Sequence, residues 1–222
     1  MPLKMSACPP NRKLYIILTS VLAVAVAVTL IWLNRPGTDA PEPAGGVPVE
    51  GMSRGETGAP VTIEVYSDFQ CPWCRRAAQE VQPILDERYI ATGKARMVYR
   101  HFPFLGMESV WAAEAATCAS NQGAFWSYHD LLFANQQGEN RGVFQQERLK
   151  EFAGRLGLER NEFDRCLDSR ETLELVRRDF ELGKAAGVQG TPTFFINGKV
   201  QQNWQPDTLA RVIESELKSG GR

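Results

Sequence analysis

Hydrophobic and polar positions divide the chain into three stretches. Residues 14–33 form one uncharged apolar run, long enough at ~1.5 Å per residue to span the ~30 Å hydrocarbon core of a bilayer. Lys4, Arg12 and Lys13 precede it and only Arg35 follows closely, which predicts a short cytoplasmic N-terminus over residues 1–13 and export of everything beyond the run. A cleaved signal peptide is the competing reading. Its apolar core would be unusually long, and no Ala-x-Ala site follows Leu33. Residues 34–58 are rich in Pro, Gly and Ala without apolar periodicity, and read as a tether. A flexible coil of that length reaches about 25 Å root-mean-square.

From residue 59 the pattern becomes that of a folded domain. The β-branched run at 61–66 predicts a strand with Thr62, Glu64 and Tyr66 on one face and Ile63 and Val65 on the other. Residues 75–89 predict a helix burying Val81, Ile84, Leu85 and the adjoining Ile90, with a kink at Pro83. Residues 95–101 alternate as a half-buried strand ended by Phe102-Pro103. That strand–helix–strand unit is expected to be parallel and right-handed. Helical patterns then fill about 104–186, at 109–121, 125–133, 145–156, 162–167 and 172–186. Strand character returns at 193–196, Asn197-Gly198 signals a hairpin turn, and a last helix is expected after an Asp207 cap. The order predicts an α/β domain over 59–222 with an inserted helical subdomain.

The net charge is −1, and residues 59–222 hold twenty basic against twenty-two acidic residues without a long run of either. Nothing in that balance favours nucleic acid. Cys8 precedes the apolar run; the other four cysteines fall on its exported side, where disulfides persist. Cys71 and Cys74 pair by spacing, leaving Cys118 and Cys166 for a second bridge. A structural role for that bridge is expected, with a second redox pair as the alternative.

The chemistry concentrates in Cys71-Pro72-Trp73-Cys74, which follows the first strand and opens a helix. A sulfur on the first helical turn lies where unpaired N–H groups and the helix dipole favour a thiolate. The thiolate is both nucleophile and good leaving group in thiol–disulfide exchange, so the placement predicts a redox centre. Cys71 is the expected attacking, solvent-facing sulfur and Cys74 the resolving one. A zinc site would need further ligands, and His101, His129, Cys118 and Cys166 are distant in sequence. Both histidines are expected to be satisfied structural groups, and Asp68 a turn residue.

Several segments resemble the DsbA-like branch of the thioredoxin superfamily, above all its membrane-tethered bacterial members. They are Asp68-Phe69-Gln70 with the Cys-Pro-Trp-Cys motif, Ala115-Ala116-Thr117-Cys118, Gln122-Gly123-Ala124-Phe125-Trp126, Phe163-Asp164-Arg165-Cys166-Leu167, and 187–198 with Gly190-Thr191-Pro192. The resemblance covers about 59–219. It implies a thioredoxin-like fold with a helical insertion, a cis-proline loop at Thr191-Pro192 that binds an extended substrate, and modulation of the redox poise by Pro72 and Trp73. It also places Glu64 where relatives carry a buried acid that exchanges a proton with the resolving cysteine; the plain alternative is a surface glutamate.

The function so implied is an extracytoplasmic thiol:disulfide oxidoreductase that introduces disulfides into secreted or membrane proteins. It would need no metal or organic cofactor, and a membrane quinone-linked partner, DsbB-like or VKOR-like, would reoxidise it. The absence of an N-terminal dimerisation domain favours a monomer. A reductase or isomerase of the same fold, a copper-binding module and a non-catalytic interaction domain are the rivals.

Overall fold

A computed structural model describes residues 49–220. The expected cytoplasmic segment, the anchor over 14–33 and the tether as far as residue 48 lie outside the described residues. Among the described residues, no helix is long and apolar enough to cross a membrane.

Six strands form one mixed sheet: β1 (Val49–Glu50), β2 (Ser53–Arg54), β3 (Val61–Ser67), β4 (Ala95–His101), β5 (Thr193–Ile196) and β6 (Lys199–Gln201), in the spatial order β1-β2-β4-β3-β5-β6. β3 is central. It runs parallel to β4, as the strand–helix–strand pattern predicts, and antiparallel to β5. Asn197 and Gly198 take positive φ values of 47° and 74° at the β5–β6 hairpin, the backbone that an Asn-Gly pair accepts at low cost.

Helix α1 (residues 72–90) leaves β3 through a four-residue turn. It is α-helical over Pro72–Arg76 and Gln82–Leu85 and π-helical over Ala77–Val81 and Asp86–Ile90. Pro83 has no N–H to donate back along the helix. The wider π turn before it, in which the Gln82 N–H reaches the Ala77 carbonyl, carries the chain through that gap. Between β4 and β5 lie α2 (Met107–Ser120), α3 (Phe125–Asn135), α4 (Gln146–Arg155), α5 (Arg160–Asp168) and α6 (Leu173–Ala185), the expected insertion. α7 (Pro206–Lys218) closes the domain. Asp207 does not cap it: Gln205 holds the cap position, Pro206 is the first helical residue, and Asp207 sits in the first turn, where its charge suits the dipole.

Residues 49–58, expected to continue the tether, belong to the domain. β1 and β2 form a hairpin, and β2 pairs antiparallel with β4. Arg54 fastens it: its guanidinium lies 3.9 Å from the Trp126 ring centroid, 3.0 Å from Asp86 and 3.1 Å from Gln82 Oε1. Two-residue strands carry too few positions to show a period of two, so the docking residue is invisible to pattern reading.

The two faces of the sheet have separate cores. On one, Ile63, Val65, Met97 and Tyr99 pack with Val81 and Leu85 of α1 and with apolar residues of α2 and α3. On the other, Tyr66, Phe102, Val188 and Phe195 meet Phe180 of α6.

Candidate active site

Cys71 caps α1 in an extended conformation, and Pro72 and Trp73 follow in its first turn, Trp73 being 57% exposed. Cys71 itself is not solvent-facing: it keeps only 4% exposure, and its thiol donates to the Thr191 carbonyl at 3.3 Å. The Thr191-Pro192 peptide is cis. The expected substrate-binding loop and the expected attacking sulfur, 120 residues apart in sequence, are thus in contact.

Both sulfurs are thiols in this structure, and their acidities are pushed apart. Cys71 is lowered from 9.0 to about 6. The Cys74 thiol donating to it is the largest cause, with Thr191 and the backbone N–H groups of Cys74 and Trp73 adding to it, against the opposing effect of burial. Cys74 is raised well above the ordinary thiol range, first by complete burial and then by the neighbouring Cys71; the Asp68 N–H, 3.5 Å from its sulfur, and the Ser67 hydroxyl act in the opposite direction. Such a pair has one nucleophile and one reserve thiol.

The turn between β3 and α1 is held from the helical insertion. Asp68 is buried, and its carboxylate accepts from the N–H groups of Gln70 (2.8 Å), Phe104 (2.9 Å) and Leu105 (3.2 Å) and from the Ser109 hydroxyl (2.7 Å). Burial raises its pKa, and these four donors oppose that rise. Gln136 donates to the carbonyls of Phe69 (2.6 Å) and Cys71 (3.1 Å), and Gln70 donates to Ser109 at 2.9 Å. Asp68 is therefore more than a turn residue. Sequence reasoning quoted Gln70 only as part of the motif, without a role, and missed Gln136, which carries no local signal.

Glu64 does not stand beside the cysteines. It projects to the face of the sheet opposite α1, where it accepts from Arg100 Nη2 at 3.2 Å; Arg100 in turn lies 3.4 Å from the buried Asp179 of α6. The alternation of β3 explains the placement, since Ile63, Val65 and Ser67 take the α1 face. Nor is Glu64 on a sheet edge: it helps to fasten α6 to the central strands.

Cys118 and Cys166 form a disulfide with a Cα–Cα distance of 5.9 Å, joining α2 to α5. His101 and His129 are fully buried, but each is only half satisfied. His101 Nε2 meets Thr117 Oγ1 at 3.0 Å and His129 Nδ1 meets Asp130 Oδ1 at 2.8 Å, whereas His101 Nδ1 and His129 Nε2 have no partner. Among the described residues, no group of three or more His, Cys, Asp or Glu side chains could hold a metal ion.

The thioredoxin family Thioredoxin_4 matches residues 48–215. A relative from Bacillus anthracis, the probable disulfide bond formation protein D, is 34% identical over 173 residues, covering 75% of this chain and 78% of its own. The Na(+)/H(+) antiporter NhaA 3 of Salinispora tropica is 37% identical over 169 residues; the match covers 75% of this chain but only 24% of that protein, so the chain spans about a quarter of its length. Among solved structures, oxidised BdbD from Bacillus subtilis superposes with a TM-score of 0.72 at 26% identity, covering 78% of this chain and 97% of that one. Reduced DsbA from Mycobacterium tuberculosis shares the fold, with a TM-score of 0.63 at 22% identity.

Proposed function

The chain belongs to the DsbA-like thiol:disulfide oxidoreductases of the thioredoxin superfamily, and we propose that within that family it is a disulfide donor working outside the cytoplasm. The observation that carries the proposal is the opposed acidity of the two sulfurs, one held near 6 under the Thr191-Pro192 loop and the other buried and raised. A substrate thiolate attacks Cys71 of the Cys71–Cys74 disulfide, and the electron pair of the broken bond passes to Cys74. A second substrate thiolate then attacks the substrate sulfur of the mixed disulfide and releases Cys71. The substrate leaves oxidised and the chain keeps two electrons. Thr191 and Pro192 bind the substrate backbone, Pro72 and Trp73 set the poise and the contact face, and the Cys118–Cys166 bridge is structural.

An anchor over residues 14–33 would hold this domain at the outer membrane face, with emerging secreted or membrane proteins as substrates and a DsbB-like or VKOR-like membrane protein as reoxidant. Monomeric action is sufficient, since every residue in the exchange comes from one chain. The test is the reduction potential of the full chain in glutathione buffers, with the 118–166 pair followed separately. A value near about −120 mV supports donation, whereas one near about −270 mV makes the chain a reductase. Titration of the 118–166 pair in the same range would remove its structural role.

A further inference from the structure

We propose that Gln136, at the end of α3, is the residue of the helical insertion that positions Cys71 for exchange, by fixing the direction of the Cys71 carbonyl. This role rests on the exchange chemistry proposed above. There a substrate thiolate bonds to the Cys71 sulfur, and the electron pair of the broken disulfide passes to Cys74.

Gln136 ends α3 in an extended conformation, with φ −61° and ψ 130°, and its side chain lies buried against the turn that carries Cys71. A glutamine amide has two N–H donors. Here its nitrogen serves two carbonyls, those of Phe69 at 2.6 Å and Cys71 at 3.1 Å, one on each side of Gln70. Among the described residues, no other donor reaches the Phe69 carbonyl. The Cys71 carbonyl also accepts from the Arg75 N–H at 3.1 Å, the first bond of α1. The tie runs both ways, because Arg75 Nη1 donates to the Gln136 carbonyl at 3.2 Å. One turn earlier in α3, the Phe133 ring packs on that of Phe69 with centroids 5.1 Å apart. The end of α3 thus grips residues 69, 71 and 75 together.

The other side chains that restrain this turn act elsewhere on it. The Asp68 carboxylate holds the N–H groups of Gln70, Phe104 and Leu105 and the Ser109 hydroxyl. The Gln70 side chain donates to Ser109 at 2.9 Å and accepts from the Asn140 N–H. Neither touches Cys71. The direction of a carbonyl follows the ψ of its residue, and ψ of Cys71 is 121°. The next residue is Pro72, which has no N–H, so hydrogen bonds hold the Cys71–Pro72 peptide only through its oxygen. That peptide sets how the first turn of α1 faces the sulfur. On one side the N–H groups of Trp73 and Cys74 support the thiolate; on the other the thiol meets the Thr191 carbonyl at 3.3 Å. A sulfur displaced by about 1 Å from these partners loses both support and alignment, a misplacement that costs up to about 100-fold in rate.

The test uses the full chain with two substitutions. Gln136→Leu removes both donors at similar volume; Gln136→Asn keeps an amide that is one methylene too short to span the two carbonyls, and serves alone if the leucine variant does not fold. Three readouts are taken for each: thiolate absorbance of the reduced chain against pH, single-turnover oxidation of a dithiol peptide by the disulfide form, and the denaturation midpoint. Positioning predicts a Cys71 pKa above the parent's and exchange about 10–100-fold slower. A purely scaffolding glutamine would lower the midpoint alone. In a folded variant, a titration still near 6, or a rate within about twofold of the parent's, therefore overturns the proposal. A parent that does not oxidise the peptide overturns the donor reading instead, and the thiolate titration then decides the role of Gln136.

Discussion

The acidity of Cys71 can be tested by replacing the group that sets it. The largest cause of its fall from 9.0 to about 6 is the Cys74 thiol, ahead of Thr191 and the two backbone N–H groups. Cys74→Ala removes that donor and should raise the Cys71 pKa; Cys74→Ser retains an O–H and should keep it low. A folded thiol with depressed pKa adds stability to the reduced protein above its unfolded pKa, and that stability fades as pH falls through the folded value. Between 9.0 and about 6 the full gain is about 4 kcal/mol above pH 9, about 1.4 kcal/mol at pH 7, and close to zero well below pH 6. Stabilising the reduced form makes the disulfide more oxidising, by about 30 mV at pH 7 and about 90 mV above pH 9.

Two assays follow from this arithmetic. Ultraviolet absorbance of the thiolate, recorded against pH for the reduced parent and the two variants, reads the pKa directly. The reduction potential of the parent, plotted against pH, should bend near 6, from about 59 mV per pH unit where both cysteines gain protons to about 30 mV where only Cys74 does. A bend displaced to about 9 would mean an ordinary Cys71 and would refute the reasoning. A Cys74→Ala variant still titrating near 6 would move the cause to the amides at the start of α1.

Three further expectations concern the scaffold. Replacing both Cys118 and Cys166 by Ser opens a loop closed across 48 residues and should cost about 4 kcal/mol in denaturant unfolding; a loss below about 1 kcal/mol would show that α2 and α5 need no bridge. Gly183→Ala would place a methyl 2.7 Å from Phe102 Cδ2 and 2.9 Å from Tyr66 Cδ1, and should destabilise by about 1–3 kcal/mol; an unchanged midpoint would mean that α6 sits more loosely than its contacts imply. Asp86→Ala strips Arg54 of its carboxylate partner and should cost about 3 kcal/mol, undocking the β1–β2 hairpin; hydrogen exchange unchanged at residues 49–54 would contradict that role.

What the sequence disclosed follows from the range of each signal. β3 and β4 were legible because seven-residue strands show their alternation, and Asn197-Gly198 because the turn needs positive φ at both residues. The same alternation correctly separated Glu64 from Val65, but it does not say which face α1 will cover, and the role of Glu64 turned on that choice. The β1–β2 hairpin was hidden because its strands are two residues long and it docks by backbone pairing with β4 and by Arg54, in a Gly-containing stretch with the composition of a tether. Gln136 reaches the active-site turn from 65 and 67 residues away, and an unremarkable glutamine has no pattern to advertise that contact. His101 and His129 read as isolated histidines; only the packing of α3 against β4 brings them to either side of Tyr99.

The direction of electron flow can be argued from competition at the mixed disulfide. Once Cys71 is bonded to a substrate sulfur, two nucleophiles contend for that bond. Cys74 would attack Cys71 and return the chain to its starting disulfide, but its raised pKa keeps it a thiol, and only a thiolate attacks. A second substrate thiol would attack the substrate sulfur and expel Cys71, whose pKa of about 6 makes it a good leaving group at neutral pH. Burial of one sulfur and support of the other thus bias the intermediate in the same direction, toward a finished substrate disulfide. The bias is kinetic, whereas the stabilised Cys71 thiolate adds the thermodynamic part.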